Sequence, residues 1–239
     1  MEKKKVTYAL ILVLCLMLCC GCETPTNEIP MYGNTTFTEE SKKVNNRFIK
    51  ESMENCGSRE AACKDAMDTA RRYAQKGDLK TAMRRANQAW LLDPNNAEVY
   101  YLFGSLTRRQ GKREETISLY EKALEFNPAH AMIMVNLGRE YYNEAYEFYR
   151  KHQKGKMKEY LNKALQLYEK ASRLATVKGD LSYIYYQWAV SLLLKEDYAD
   201  AWKKVKLSRK YGGECVEPAF VRELSKYMPE PEEYSPAPK

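Results

Sequence analysis

The chain has 239 residues, is 44% apolar, and carries only 11 glycines and 9 prolines, most prolines lying between long stretches that read as helical. That composition fits a helix-rich folded protein with short connections. The formal charge of +7 comes from 39 basic and 32 acidic side chains interleaved along the chain. Nucleic-acid binding needs a concentrated basic stripe, so this pattern argues against it, while acidic partners and anionic membrane surfaces stay compatible.

Lys3, Lys4 and Lys5 precede an apolar run from Val6 to Leu18, followed by Cys19-Cys20-Gly21-Cys22. A charged start, a short apolar core and small residues at the end read as an export signal over residues 1–21. The run falls short of the roughly 20 apolar residues of a membrane span, so a plain transmembrane anchor is the second reading. Gly21-Cys22 resembles the lipobox of bacterial lipoproteins, although Cys19 stands where that motif usually has leucine. The resemblance implies lipidation of Cys22, with Cys20 as second candidate, and a palmitate-type anchor of several chains. Glu23, in place of an aspartate that would retain such a protein at the inner membrane, implies an outer-membrane anchor facing the periplasm. Residues 22–45 then read as the lipidated cysteine and a flexible tether, because the stretch to Thr38 is polar, contains Pro25, Pro30 and Gly33, and lacks periodicity.

Cys56, Cys63 and Cys215 remain beyond the amino-terminal cysteines. Cys56 and Cys63 would lie about 10 Å apart along one continuous helix, too far to bridge. Gly57-Ser58 offers a break that would let them pair, so a disulfide and two unrelated thiols both stand as readings. His130 and His152 are the only histidines and neither neighbours a cysteine, which argues against zinc.

Residues 46–228 carry an internal period. Ala70, Gly104 and Gly138 are 34 residues apart, as are Pro94 and Pro128. Small residues let paired helices approach, Gly77-Asp78 and Gly111 end helices, and Asp93-Pro94 and Asn127-Pro128 turn the chain into the next unit. Tyr73, Ala82, Ala86 and Ala89 complete the first unit, and Tyr100, Phe103, Tyr120 and Ala123 the second. Leu137, Tyr141, Ala164, Tyr168 and Ala171 belong to a third, and Tyr185, Trp188, Ala189, Ala201 and Val205 to a fourth that ends at Gly212-Gly213. The pattern resembles the tetratricopeptide repeat. It implies an all-α, right-handed α-solenoid of about four helical hairpins, with Pro218 to Met228 as a capping helix. The third hairpin, 131–175, is longer: Gly138 to Ala164 spans 26 residues where the siblings span 12. The excess of 14 is about four helical turns, two for each helix, giving an arm projecting about 10 Å with its turn near Gly155. Tyr142, Ala145, Tyr146 and Tyr149 are expected to pack on Leu161, Ala164, Leu165 and Tyr168. The basic tip (Arg150, Lys151, His152, Lys154, Lys156, Lys158) reads as solvated helix-end charge. The tail from Pro229 to Lys239 reads as disordered.

The resemblance places a binding surface on the first helix of each unit. It implies Lys64, Met67, Arg71 and Gln75 in unit one, and Tyr101, Ser105, Arg108 and Arg109 in unit two. Unit three offers Arg139, Tyr142 and Asn143, and unit four Tyr183, Tyr186 and Val190. Arginine and tyrosine are enriched at protein hot spots, which points to an acidic extended peptide or protein partner. No phosphate loop, nucleophile elbow, metal motif or cofactor signature accompanies it, so no catalysis and no cofactor are expected. The function implied is a scaffold or assembly factor in the bacterial envelope, of the kind that serves secretion or pilus complexes. The alternative is an envelope factor that binds glycan or lipid through the basic, tyrosine-rich arm.

Overall fold

The computed structural model describes residues 26–234. The expected signal segment, the lipidation candidates Cys20 and Cys22, and the last five residues lie outside the described residues. Regular structure among the described residues is helical throughout. The helices are α1 (Glu39–Cys56), α2 (Arg59–Gln75), α3 (Leu79–Leu92), α4 (Ala97–Arg109), α5 (Arg113–Phe126), α6 (Ala131–Arg150), α7 (Lys154–Leu174), α8 (Lys178–Leu194), α9 (Tyr198–Lys210) and α10 (Pro218–Ser225). They pair as antiparallel hairpins α2/α3, α4/α5, α6/α7 and α8/α9, with α1 laid on the first and α10 on the last. None of these helices is long and apolar enough to cross a membrane.

Local chemistry sets the boundaries. Ser58, Asp78, Asn96 and Asp197 cap their helices through side-chain oxygens that accept backbone N–H bonds. Gly77 and Gly111 close first helices at φ 85° and 77°, where a side chain would be strained. Between helices, Gly104 and Gly138 hold the hairpins together. A Cβ on Gly104 would sit 2.5 Å from the Tyr120 ring, and one on Gly138 would sit 2.7 Å from Tyr168. Both rings are fully buried, so neither can step aside.

The arm is as long as its spacing implied. Helix α6 has 20 residues against 13 for α4, and α7 has 21 against 14 for α5. Its turn falls at Lys151–Gln153, with His152 left-handed at φ 56°, and Gly155 lies inside α7. The expected tyrosine packing is corrected by one residue of rotation. Tyr141, Ala145 and Phe148 face α7, with Tyr160 set against both rings at 6.0 and 5.4 Å. Tyr142, Tyr146 and Tyr149 form the adjacent stripe, in which Tyr142 still packs against the cluster of Ala164 and Tyr168 while Tyr146 and Tyr149 are exposed.

Parts of the two segments that composition reads as tether and tail, 26–45 and 229–234, are ordered in the structure. The supposed tether is docked from Thr26 to Asn34, and α1 begins at Glu39. Asn87, fully buried on α3, donates to the carbonyls of Asn27 (2.9 Å) and Ile29 (2.8 Å) and accepts from the Tyr32 N–H. Glu28 is 5% exposed and pairs with Arg84 and Lys80. Tyr32 rests against Phe37 and Trp90. At the other end, Trp202 Nε1 donates to the Met228 carbonyl at 3.0 Å, and Arg209 holds Glu230 and the Tyr234 carbonyl. Long-range hydrogen bonds, from buried Asn87 to the strap and from Arg209 to the tail, are what composition could not reveal.

No disulfide joins Cys56 and Cys63. Cys56 is exposed at the end of α1, while Cys63 is buried in α2 and donates to the Ala89 carbonyl at 3.5 Å. Burial pushes the Cys63 thiol up to about 11.

Gly104→Ala should destabilise the fold by ~1–2 kcal/mol, overpacking of ~1–3 kcal/mol being partly offset by alanine's better helix propensity. Gly155→Ala, where an added Cβ meets nothing within 4 Å, should be neutral or stabilising. Denaturant melts of both variants check this, and equal midpoints would refute the close-approach account. Asn87→Ala should cost ~1–3 kcal/mol by orphaning the carbonyls it bonds, measured in the same way.

Candidate functional site on the inner face

First helices of neighbouring units touch directly, α2 with α4 and α6 with α8, which puts them along the inner side of the stack. Between α2 and α4 lies a cavity of about 230 Å³. Ala74, Leu102 and Leu106 make its apolar floor, and Arg71, Gln75, Tyr101, Ser105 and Arg109 its polar rim. Five residues implied by the repeat resemblance therefore meet in one cleft. Arg108 is exposed beside it, and Lys64 lies one turn before Asp68 on α2, the two joined at 2.6 Å.

The rim is preorganised. Arg71 is held by Asp68 at 2.9 Å and by Glu98 across the unit boundary at 3.6 Å. Lys64 and Arg71 together hold the Asp68 carboxyl below its ordinary range. Arg109 donates to the Ala74 carbonyl and so fastens α4 to α2. Ser105 donates to the Tyr101 carbonyl at 2.9 Å.

From Tyr101 a polar ladder runs into the next units. Asn136 Nδ2 donates to the Tyr101 hydroxyl at 3.0 Å, its Oδ1 accepts from Arg139 at 2.9 Å, and Arg139 donates to the Tyr183 hydroxyl at 2.7 Å. Arg139 and Tyr183 are thus joint-forming residues before they are ligand contacts. Asn143 donates to Glu140 at 3.2 Å and is likewise engaged. Glu140 itself is 3% exposed.

Four implied residues lie elsewhere. Met67 and Tyr186 are buried in the core, 7% and 8% exposed, Tyr186 edge-on to Phe220. Tyr142 and Val190 line a separate groove toward α10. Sequence reasoning missed Glu98, His130 and Asn136, which stitch the units together. The signal available was their repeat position: Glu98 follows the Asn96 cap, and His130 precedes α6 where a capping residue belongs. Among the described residues no group of three or more His, Cys, Asp or Glu is placed to hold a metal ion.

No protein-family model matches the sequence, and no curated protein matches it. Solved structures do. The structure of PilF from Pseudomonas aeruginosa superposes with a TM-score of 0.57 at 18% identity, covering 71% of this chain and 68% of that one. TTC0263, a tetratricopeptide protein of Thermus thermophilus, gives 0.55 at 14% identity over 69% and 80% of the two chains. MamA from Desulfovibrio magneticus gives 0.52 at 16% over 69% and 82%. At these identities the likeness is one of fold. The chain is an all-α tetratricopeptide-type solenoid.

The joint between units two and three contains a titrating pair. His130 Nε2 lies 2.7 Å from Glu98, and Nδ1 accepts the Ile133 N–H that begins α6. The hydrogen bond to Glu98 raises the His130 pKa above 6.5 despite opposing burial, and the same bond lowers Glu98 below 4.5. A raised histidine stabilises the fold below its unfolded pKa, and that contribution is lost as pH climbs through the folded value. The lowered Glu98 adds stability above its unfolded pKa, lost as pH falls through its folded value. Protonating Nδ1 forfeits the bond to Ile133, which makes the net gain smaller than the ion pair alone. The melting temperature should therefore fall as pH rises from about 6 to about 8, and Glu98→Gln should flatten that slope. An NMR titration midpoint for His130 at or below 6.5 would refute the pairing.

Proposed function

We propose that the chain is an interaction scaffold whose inner cleft receives an extended acidic peptide from a protein partner. The observation that carries this reading is the cleft between α2 and α4. Its apolar floor suits a side-chain anchor, Arg71 and Arg109 put positive charge on its rim, and Arg108 is exposed next to Arg109 in the chain. Paired units share Arg71–Glu98 and the Tyr101–Asn136–Arg139–Tyr183 ladder, so the surface is rigid before a partner arrives, which lowers the cost of binding.

The amino-terminal sequence supports placing this scaffold in a bacterial envelope, lipid-anchored at Cys22 and facing the periplasm from the outer membrane. Such a protein serves as an assembly or accessory factor for a larger envelope complex and catalyses no reaction. The fold is compatible with that work and does not by itself select it.

Purified protein should retain acidic peptides from an immobilised library of octapeptides, with retention falling as salt rises. Arg71→Glu combined with Arg108→Glu should weaken retention at least roughly tenfold. Arg108 is exposed, but Arg71 also pairs with Glu98, so the variant's thermal melt is compared with wild type alongside. Arg139 is left intact because it joins units three and four. Equal retention by wild type and variant would remove the cleft as the binding site. Cys22→Ser should abolish incorporation of labelled palmitate and release the protein from membranes. Unchanged labelling would refute the anchor.

A further inference from the structure

A second groove lies at the far end of the inner face, between the arm, the end of α8, the start of α9 and α10. It encloses about 210 Å³. Five tyrosines line it: Tyr142, Tyr146 and Tyr149 from α6, Tyr198 from α9, and Tyr227 just beyond α10. Tyr146, Tyr149 and Tyr227 are 44%, 51% and 57% exposed, a large outlay of aromatic surface to leave in water. The rings are ordered among themselves. Tyr142, Tyr146 and Tyr149 run as a stack at 6.4 and 6.2 Å, and Tyr198 stacks on Tyr227 at 5.0 Å. Val190 and Leu193 form the floor.

The charge of this groove is opposite to that of the chain. The protein is +7 overall, yet no lysine or arginine lines the groove, and its two charged residues are Glu196 and Glu223. Glu196 is exposed, and Glu223 is half-exposed and paired with Lys226 at 2.6 Å, which leaves Glu196 the freer of the two carboxylates.

We infer that this groove binds a proline-rich segment of a partner protein in the polyproline II conformation, with a basic residue of that segment against Glu196 and Glu223. Three features fit that ligand. Flat aromatic rings pack well on proline rings, which enter with little conformational entropy left to lose. The Tyr142-to-Tyr149 stripe runs about 10 Å along α6, close to the ~9 Å of one three-residue polyproline II turn. A proline-rich strand offers unpaired backbone carbonyls and few N–H groups, so it needs donors, and phenol hydroxyls donate. A glycan could also stack on these rings, so the peptides are tested beside a chitin hexasaccharide. The site is distinct from the arginine-rimmed cleft and does not rest on it.

The test is fluorescence anisotropy with a labelled proline decapeptide ending in arginine and a second ending in glutamate. Wild type should bind both saturably and prefer the arginine-ended peptide. Tyr146→Ala with Tyr149→Ala should weaken binding roughly tenfold or more, while the Phe pair at the same positions should lose only part of the affinity. Glu196→Gln with Glu223→Gln should erase the preference between the two peptides. The Arg71, Arg108→Glu variant should bind the arginine-ended peptide as wild type does, which separates this site from the cleft. Absence of saturable binding up to about 1 mM would overturn the inference. So would affinity unchanged in the alanine pair, or capture of a chitin hexasaccharide by a protein that ignores both peptides.

Discussion

The stack depends on one constraint: two buried tyrosine rings lie against two helical glycines. Tyr120 occupies the space a side chain on Gly104 would need, and Tyr168 does the same at Gly138. Each contact sets the distance between the two helices of its hairpin. That distance decides which faces of the first helices remain for the neighbouring unit and which remain for the inner surface. The fully buried Ala70, Ala82, Ala86, Ala123, Ala164, Ala189 and Ala201 repeat the same small-residue logic along the array. No hairpin buries its apolar face alone, so one misfit is transmitted to both neighbours.

Much of this was readable from residue spacing. A 34-residue recurrence of small residues and prolines fixes hairpin length, and 14 extra residues divided between two helices keep both faces in phase. What could not be read is rotation and long-range polar contact. Tyr141 and Tyr142 are neighbours in sequence and equivalent in composition, yet a turn of 100° sends one into the arm and the other into a groove. Arg139 occupies a repeat position that suggests ligand contact, and only geometry shows it committed to Asn136 and Tyr183. Residues 26–34 carry no periodicity, because their order comes from a single buried asparagine about sixty positions away, which no local pattern announces.

Along the inner face the chemistry changes from one end to the other. Arginines around an apolar floor dominate the joint of units one and two, a ladder of phenols, an amide and one guanidinium spans the middle, and stacked tyrosines with two carboxylates line the far end. Charge on a solenoid surface is cheap to vary because most of these side chains touch solvent. The ladder is different. It connects three units through bonds of 2.7 to 3.0 Å, and so keeps the two terminal surfaces in fixed register.

Docking of the amino-terminal strap onto α3 has a mechanical consequence. The first described residue of the strap is Thr26, four positions after Cys22, and four residues span at most about 14 Å. An anchor at Cys22 would thus hold the solenoid on a short stem, attached through the strap that Asn87 binds. Such a body cannot sweep a wide volume above the bilayer. Its effective concentration would be high only for partners already within a few nanometres of the membrane.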